Sequence, residues 1–559
     1  MHLLPHQRVA DEEPPQCQHG RHQPHNSTKA LTRGANFIQK PISPSQQLNA
    51  RECTEQQGHM GIREALDSLH QSTQLTYLDL CCDRVLAHST QCLTATQAEP
   101  RPDKFLELNR AYYDDLRRIH QLLSPKEATI LQIGCGNGDL LASLEPRQGI
   151  GIDNNQQQII HARSRHQHLN FIHCDINQLS QQQLGNPGIF DVIVLSNVVN
   201  TLDDVQSTLQ QLDAFCDERT RLIVSFHNWM WQPLLKAAER FQLRQQHPPE
   251  SWFTPNDICN LLDLAGWEVL KQGHRCLFPR KVPLLSSLLN RWLSQMPLIE
   301  QLGLSHWLVA RPRRALDRQP RVSVVIPARN EAGNIAAAIE RMPPLGAATE
   351  VIFVEGHSSD CTWEEIERVC ATYSGPMTLK RFQQRGKGKA DAVWLGFDQA
   401  EGDILIILDA DLTVRPEDLP RFIEALADGR GEFVNGCRLV YPRSLAAMPR
   451  LNTAANRTFA AVFSWLLRQR LKDTLCGTKA IWKNDYERLK QGRAYFGDFD
   501  PFGDFDLLFG ASKLNLKIVE VPVRYQERTY GSSNIAHVKE GLILARMCGY
   551  AARKLRFIP

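Results

Sequence analysis

G-D-I-L-I-I-L-D-A-D-L-T, at residues 402–413, is the stretch that decides the fold predicted for the second half of the chain. The run at 404–408 is short, apolar and rich in β-branched side chains, which predicts a buried strand. Asp409 and Asp411 follow it, and side chains two positions apart on an extended backbone point the same way. The pair can share one hard cation whose other ligands are diphosphate oxygens. The alternative is two solvated acids in an ordinary turn.

Two further strands of this half also end in polar residues. They are predicted at 321–326 and 350–354, and a helix follows each. Ligands of open α/β sheets bind outside the carboxyl ends of the strands. A ligand is therefore expected near these strand ends, which carry Pro327, Ala328, Asn330, Glu331 and Glu355.

A basic loop, R-G-K-G-K at 385–389, precedes the helix that leads into the strand at 404–408. Lys387 and Lys389 would supply cations opposite the carboxylate pair. Phosphate oxygens need such cations, and a carboxylate pair can hold the accompanying metal. The loop and the pair together therefore predict a site for a nucleotide diphosphate.

The motifs I-P-A-R-N-E, V-E-G-H-S-S-D, G-K-G-K-A-D-A and D-A-D-L-T occur in this order between residues 321 and 413. They resemble the family 2 glycosyltransferases of GT-A fold, and in particular the dolichyl- or polyprenyl-phosphate sugar synthases. The resemblance implies inverting transfer from a nucleotide-diphosphate sugar to a polyprenyl-phosphate or glycan acceptor. It also implies Mg²⁺ or Mn²⁺ at Asp409, Asp411 and Thr413. The resemblance further implies that the residues after the first strand border the nucleotide and that Glu355 recognises its base or ribose; the bordering residues are Pro327, Ala328, Asn330 and Glu331. The choice between UDP and GDP donors stays open.

Three arginines and two acids complete this predicted site. R-T-Y-G-S-S, which begins at Arg528, is similar to a phosphate-holding stretch of the synthases, so Arg524 and Arg528 are expected to bind substrate, as is Arg438. Asp504, and after it Asp506, is the candidate base for attack by a hydroxyl. A structural role at a helix start is the alternative for both acids. A phosphate acceptor would need no base.

The first half carries a glycine-rich loop in a strand–loop–helix context. A strand at 129–133 runs into G-C-G-N-G at 134–138, and a helix is predicted at 139–144. Bare backbone lets a cofactor approach, and the helix start offers free N–H groups. Asp153 and Asp175 stand at the ends of the next two strands.

This order resembles the class I S-adenosylmethionine-dependent methyltransferases. The resemblance implies that Gly134, Gly136 and Gly138 line the methionine end of the cofactor, that Asp153 holds the ribose and that Asp175 contacts the adenine. The class usually has an acid two residues before the first glycine, where this chain has Gln132, an acceptor without charge. His227 is the candidate base for methyl transfer to a hydroxyl, with a structural histidine as the alternative.

Length and composition set the frame for both halves. At 559 residues the chain exceeds a single core. We predict two α/β domains, a Rossmann-like methyltransferase fold at 103–313 and a GT-A fold at 314–559, behind a low-complexity extension at 1–102. The near balance of 64 basic and 61 acidic residues argues against a nucleic-acid partner. Fifteen cysteines lack metal-ligand spacing and predict reduced thiols.

No stretch approaches the ~20 apolar residues that span a bilayer. The chain also shows no signal sequence, so we predict a cytoplasmic protein. A basic amphipathic helix at 538–556 either contacts the membrane surface peripherally or packs on its own domain. The predicted function is a bifunctional enzyme of cell-surface polysaccharide or glycolipid synthesis. The alternatives are a glycosyltransferase with a non-catalytic cofactor-binding scaffold, or a membrane-surface adaptor with a dormant transferase.

Overall fold

The computed structural model describes residues 104–558, with gaps at 177–178, 186, 245–249, 315–318, 443–449, 496–502, 529 and 531–536. All of these residues belong to one unit, Pro100–Pro559. The extension predicted at 1–102 lies outside the described residues.

The first half forms a seven-stranded sheet of order β3-β2-β1-β4-β5-β7-β6. The five strands from β3 to β5 in this order pair in parallel, and β7 runs antiparallel to both of its neighbours, β5 and β6. The strands are Thr129–Ile133 (β1), Gln148–Asp153 (β2), Asn170–His173 (β3), Val192–Ser196 (β4), Arg221–His227 (β5), Trp267–Arg275 (β6) and Ser305–Pro312 (β7). The helices are Lys104–Leu108 (α1), Arg110–Leu123 (α2), Asp139–Ser143 (α3), Gln156–Arg165 (α4), Val205–Gln211 (α5), Gln232–Arg240 (α6), Pro255–Leu264 (α7) and the single turn Leu285–Ser287 (α8).

The helical region from Lys104 to Leu123 is interrupted at Asn109, whose backbone amide and side-chain amide both donate to the carbonyl of Phe105 at 3.1 Å. β7 lies inside the sheet, between β5 and β6. All eight residues of β7 are buried, which suits an interior strand better than an edge.

The second half forms another seven-stranded sheet, of order β10-β9-β8-β11-β13-β12-β14. The strands are Arg321–Ala328 (β8), Ala348–Glu355 (β9), Thr378–Gln383 (β10), Ile404–Ile407 (β11), Phe433–Cys437 (β12), Lys479–Trp482 (β13) and Ile518–Pro522 (β14). β13 runs antiparallel to both of its neighbours, and the other pairs are parallel. The helices are Ala332–Glu340 (α9), Thr362–Thr372 (α10), Lys389–Gln399 (α11), Pro420–Ala427 (α12), Arg450–Leu467 (α13), Lys483–Gln491 (α14), Asp504–Lys513 (α15) and His537–Leu555 (α16).

β11 lies at the centre of the second sheet. Leu405 and Ile407 pack into the apolar core on one face, and Ile404 and Ile406 pack into the core on the other. Burial on both faces explains why this strand is continuously apolar instead of alternating. The carboxyl end of β11 is therefore held in a fixed position, at the edge of the sheet where the parallel strands end.

The C-terminal helix α16 packs on the second half. Its Leu544 and Met547 are buried in the same core as Leu405, whereas Leu542 is exposed. This packing agrees with one of the two interpretations of the predicted basic helix. Among the helices that the structure describes, none has both the length and the apolar composition that crossing a bilayer requires.

Buried polar contacts join the two halves. The Arg221 guanidinium, at the start of β5, donates to the carbonyl of Asn515 at 2.9 Å and lies 2.6 Å from the Glu432 carboxylate. Lys271 Nζ of β6 donates to the carbonyl of Ser512 at 3.0 Å. Because these groups are buried, their partners across the boundary are needed to offset the loss of hydration.

Candidate active sites

The carboxylate turn, residues 409–413, follows β11 directly. The amide of Leu412, a residue with φ of 51°, donates to the carbonyl of Asp409 at 3.2 Å and closes the turn. Asp411 Oδ1 accepts from both the amide and the hydroxyl of Thr413, at 3.1 and 2.8 Å. The turn therefore holds both carboxylates and the Thr413 hydroxyl at one edge of the sheet.

Asp409 forms an ion pair with Lys389, the first residue of α11. The Nζ of Lys389 lies 2.6 Å from Oδ1 of Asp409. Burial opposes ionisation of Asp409, but Lys389 outweighs it and lowers the pKa of this carboxyl, with Lys479 and Arg438 adding to the effect. The chain passes so close to this ion pair at Gly477 that a Cβ there would collide with both partners. Only glycine fits at that position without displacing the pair.

Arg528 is the cation on Asp411. One nitrogen of its guanidinium lies 2.6 Å from Asp411 Oδ2, and the other lies 3.4 Å from Glu331 Oε1. The Glu331 side chain is only 9% exposed, and its second oxygen accepts from Asn334 Nδ2 at 2.6 Å. Burial raises the pKa of Glu331 to about 7, even though Asn334 and Arg528 favour its charged form. Arg528 thus links the end of β8 to the carboxylate turn.

The ends of β8 and β9 lie side by side. The register pairs Pro327 with Val354 and Ala328 with Glu355. Glu355 is buried, and its Oε1 accepts from the amide of Ser358 at 2.5 Å, so it braces the loop that follows its own strand.

Asn330 holds the same loop from the other side. Its backbone is in the left-handed region, with φ of 56°, and its Oδ1 accepts from the amide of Ser359 at 2.8 Å. The residues predicted at these strand ends are therefore brought together by hydrogen bonds between the two loops.

The other predicted cations lie in different settings. Lys387 is exposed on the loop before α11. Arg438 donates two hydrogen bonds of 2.8 Å to the Asp473 carboxylate. Burial raises the pKa of Asp473, but the contact with Arg438 outweighs burial and lowers this pKa to about 2. Arg524 is exposed, with its guanidinium 5.8 Å from the ring centroid of Tyr441. Of these three, Arg438 is held most firmly, by a contact within the protein.

The two candidate bases differ in position. Asp504 begins α15 directly after Gly503. A Cβ added at Gly503 would lie only 3.1 Å from the Cα of Ala390, the second residue of α11. The two helices therefore start next to each other. Asp506 is buried, with its Oδ2 3.6 Å from Arg493 Nε.

The glycine-rich loop of the first half is open at its centre. Gly134, Gly136 and Gly138 all have positive φ, between 52° and 78°. An added Cβ would lie 2.7 Å from Val198 at the first and 2.6 Å from Phe171 at the third, but would meet nothing within 4 Å at Gly136. The second glycine therefore leaves room that a ligand can fill.

Asp153 supports this loop. Its two carboxylate oxygens accept from the amides of Gly136 at 2.8 Å and Asn155 at 2.9 Å. The exposed Asp175 follows β3, next to Cys174, whose amide donates to the carbonyl of Asp153 at 3.2 Å. Gln132 is buried, and its Oε1 has no hydrogen-bond partner in the part of the chain that the structure describes.

His227 ends β5 in an aromatic cluster with Tyr112 and Trp252. The rings of His227 and Tyr112 stack with centroids 5.6 Å apart and planes 18° apart, and Trp252 lies 6.5 Å from His227. Tyr112 donates to Oδ1 of Asn197 at 2.9 Å. Burial raises the pKa of Tyr112 far above its ordinary value, so this phenol is neutral. The cluster lies at the carboxyl ends of β4 and β5, and Tyr112 is its buried member.

Comparison with known families accounts for both halves. Residues 106–272 match the family described as Methyltransferase domain, and residues 323–487 match Glycosyl transferase family 2. The chain joins a methyltransferase domain to a family 2 glycosyltransferase domain.

Individual relatives cover parts of the chain. The glycosyltransferase domain is similar to the dolichol-phosphate mannosyltransferase of Pyrococcus furiosus, with 29% identity over 38% of this chain and 59% of the relative. It is also 36% identical to the undecaprenyl-phosphate 4-deoxy-4-formamido-L-arabinose transferase of Pseudomonas aeruginosa, over 19% of this chain and 33% of that protein. The chain thus spans less than two thirds of these relatives. A SAM-dependent methyltransferase of Thermotoga maritima, described as a possible histamine N-methyltransferase, aligns with a TM-score of 0.28 and 15% identity, over 37% of this chain and 92% of its own.

Sequence reasoning missed two features of these domains. In the methyltransferase domain it did not single out Tyr112, because an aromatic residue at helical spacing in α2 is more often part of the core. In the glycosyltransferase domain it did not assign a role to Gly477. The C-G-T-K stretch around that glycine was a signal, since a glycine among buried residues often marks a close backbone approach.

Proposed function

We propose that the glycosyltransferase domain transfers a sugar, with inversion, from a nucleotide-diphosphate donor to a polyprenyl-phosphate or glycan acceptor. We further propose that the methyltransferase domain methylates a glycan or a related acceptor with S-adenosylmethionine. The observation that carries the first proposal is the carboxylate turn, whose two acids each hold a cation, Lys389 on Asp409 and Arg528 on Asp411. A diphosphate binds at a place where cations and metal-binding carboxylates meet.

The two cations define how the donor would be held. Lys389 is a point charge at the start of a helix, and Arg528 is a planar fork that can meet two phosphate oxygens. Phosphate oxygens would recruit these groups and release the carboxylates of Asp409 and Asp411. Glu331 would keep Arg528 in place during this exchange, because the second nitrogen of its guanidinium already contacts Glu331.

The released carboxylates suit a divalent metal that arrives with the donor. Among the described residues there is no group of three His, Cys, Asp or Glu side chains that could hold a metal by itself. Mg²⁺ commonly takes one or two carboxylates and completes its shell with phosphates and water. Asp409, Asp411 and the Thr413 hydroxyl fit that requirement. A bound Mg²⁺ or Mn²⁺ would neutralise the charge of the leaving diphosphate.

The acceptor would approach from the side of α15. Asp504, which begins this helix next to the start of α11, is our first candidate for taking the proton of an attacking hydroxyl. Asp506 is the second candidate, although its burial beside Arg493 suits a structural role better. The names of the relatives, which act on dolichol phosphate and undecaprenyl phosphate, favour a polyprenyl phosphate as acceptor.

For the methyltransferase domain, three observations support S-adenosylmethionine as the cofactor. The loop leaves room at Gly136, Asp153 stands beside it, and the buried Oε1 of Gln132 offers an acceptor to an ammonium group. The cofactor would supply the methyl group. His227, stacked on the neutral Tyr112, is the candidate base for a hydroxyl acceptor.

The glycosyl transfer proposal is tested with the purified chain and a panel of UDP- and GDP-sugars. We expect nucleotide release that requires Mg²⁺ or Mn²⁺ and is abolished by Asp411→Asn. The matched control is Asp263→Asn, which removes the charge of an exposed acid in the other domain and is expected to leave release unchanged. Release that survives Asp411→Asn would refute the proposal, and no release with any donor would favour the adaptor alternative.

The methyl transfer proposal needs a binding measurement and a turnover measurement. Calorimetry should show S-adenosylmethionine binding that Gln132→Leu weakens, because leucine has the size of glutamine but accepts no hydrogen bond. A labelled methyl group should then appear on the glycosylated product. Binding without turnover on any glycan would leave a scaffold domain as the explanation.

A further inference from the structure

The segment between β6 and β7 of the methyltransferase domain, residues 276–304, turns its apolar side chains toward solvent. Nine large apolar side chains between 282 and 302 are exposed, led by Leu284 at 88% and Leu298 at 81%. The side that packs against the protein is polar, with Asn290, Ser294 and Gln295 buried. Helices of globular proteins in water have the opposite arrangement.

Hydrogen bonds fix this orientation. The Asn290 side chain donates to the carbonyl of Phe278 at 2.7 Å and accepts from its amide at 2.8 Å. The carbonyl of Gln295 accepts from Trp465 Nε1 at 3.2 Å. The apolar side cannot turn inward without leaving these buried polar groups without partners, which is unfavourable.

The two most exposed leucines also have strained backbones. Leu284 has φ of 63° and ψ of −49°, and Leu298 has φ of 72° and ψ of −48°. Each follows a proline and occupies the centre of a rare, tight turn that glycine would adopt more easily. Between them the helical turns change from α at α8 to π at Leu288–Trp292 and 3-10 at Leu293–Gln295. Strain of this kind persists only where the surrounding structure imposes it, and it is frequent at functional sites.

Residues 277–299 of the segment carry charge of one sign, and Glu300, the acid that follows them, is paired with Arg468 and Arg556. Residues 277–299 contain no aspartate or glutamate, whereas Arg280 and Lys281 are exposed and Arg291 is half-buried. Trp292, which stacks on Phe557 with ring centroids 4.7 Å apart, is 43% exposed. Protruding aliphatic side chains, a tryptophan at their edge and flanking cations are the features that bind the surface of an anionic bilayer.

We propose that residues 276–304 dock this protein on an anionic lipid bilayer, with Leu284 and Leu298 inserted among the acyl chains. Arg280 and Lys281 then lie at the level of the lipid phosphates. Docking requires neither transfer reaction, so it stands or falls separately from the proposed function.

The test is co-sedimentation of the full chain with phosphatidylcholine vesicles, with and without phosphatidylglycerol. The variant Leu284→Gly/Leu298→Gly removes both insertions and relieves both strained residues, so it is expected to fold, which an unfolding curve checks. We expect its affinity for anionic vesicles to fall at least about tenfold. The matched control Ile160→Gln/Leu264→Gln, which changes aliphatic residues 56% and 55% exposed on α4 and α7, should bind like the unmodified chain.

The charge contribution has its own variant. Arg280→Gln/Lys281→Gln should remove the preference for vesicles with phosphatidylglycerol over those without it. Failure of the unmodified chain to sediment with anionic vesicles would overturn the proposal, as would equal binding by the double-glycine variant. Gel filtration provides a further outcome: an oligomer that the double-glycine variant dissociates would identify the segment as a contact between copies of the chain and would also overturn the proposal.

Discussion

Replacement of Glu331 with Gln should change how the stability of the protein depends on pH. Burial raises the pKa of Glu331 from an ordinary 4.5 to about 7, so the folded chain binds this proton more tightly than the unfolded chain does. The stability that Glu331 contributes is therefore complete below its unfolded pKa and is lost as pH rises through about 7. The difference between the two limits corresponds to about 3 kcal/mol in the free energy of unfolding.

The assay is urea unfolding of the unmodified chain and of Glu331→Gln over the range from about pH 5 to about pH 8. The variant cannot ionise at this position. Across that range, the free energy of unfolding of the unmodified chain should therefore fall by up to about 3 kcal/mol relative to that of the variant. The altered contact with Arg528 can shift the free energy of unfolding of the variant by a constant amount. Such a shift does not change how the difference between the two proteins depends on pH.

Glu417→Gln is the matched control. The contact with Arg341 is the main reason that the pKa of Glu417 is lowered to about 2, so the stability it contributes is lost only as pH falls through about 2. Its stability difference from the unmodified chain should therefore stay constant over the assay range. If the curves for Glu331→Gln and the unmodified chain also run parallel, the buried, proton-binding state assigned to Glu331 is wrong.

Arg221→Met removes the cation from a buried contact with Glu432, and urea unfolding should show a free energy of unfolding lower by about 3–5 kcal/mol. The control Arg313→Met, at an exposed ion pair, should lower the free energy of unfolding by at most about 1 kcal/mol. Gly477→Ala forces a methyl group into the ion pair beside the carboxylate turn; we expect calorimetry to show at least about tenfold weaker binding of a nucleotide diphosphate. Thr254→Ala removes the N-cap of α7 and should cost about 1 kcal/mol in thermal unfolding, with unchanged nucleotide binding.

The sequence predicts the central strands of both sheets well, because strands buried on both faces are continuously apolar. The run at 404–408 becomes β11, and the run at 129–133 becomes β1. Strands with a weaker apolar pattern are harder to predict. Thr378–Gln383 is a polar edge strand, and Lys479–Trp482 has only four residues, so neither carries a strong apolar pattern.

The candidate sites could be predicted only as sets of residues at strand ends. The order of strands and loops places Glu331, Asp409 and Asp411 at one edge of the sheet, and the structure agrees. Which cation contacts which acid depends on tertiary packing. Lys389 and Arg528 are more than 130 residues apart in the chain, and no local pattern assigns one to Asp409 and the other to Asp411.

The buried contacts of Arg221, Lys271 and Asn515 between the two domains have a consequence for how the fusion works. Domains joined by a flexible tether can swing a shared substrate from one active site to the other. Here buried hydrogen bonds hold the two domains against each other, so under the proposed function a glycosylated product would have to dissociate from one site and diffuse to the other.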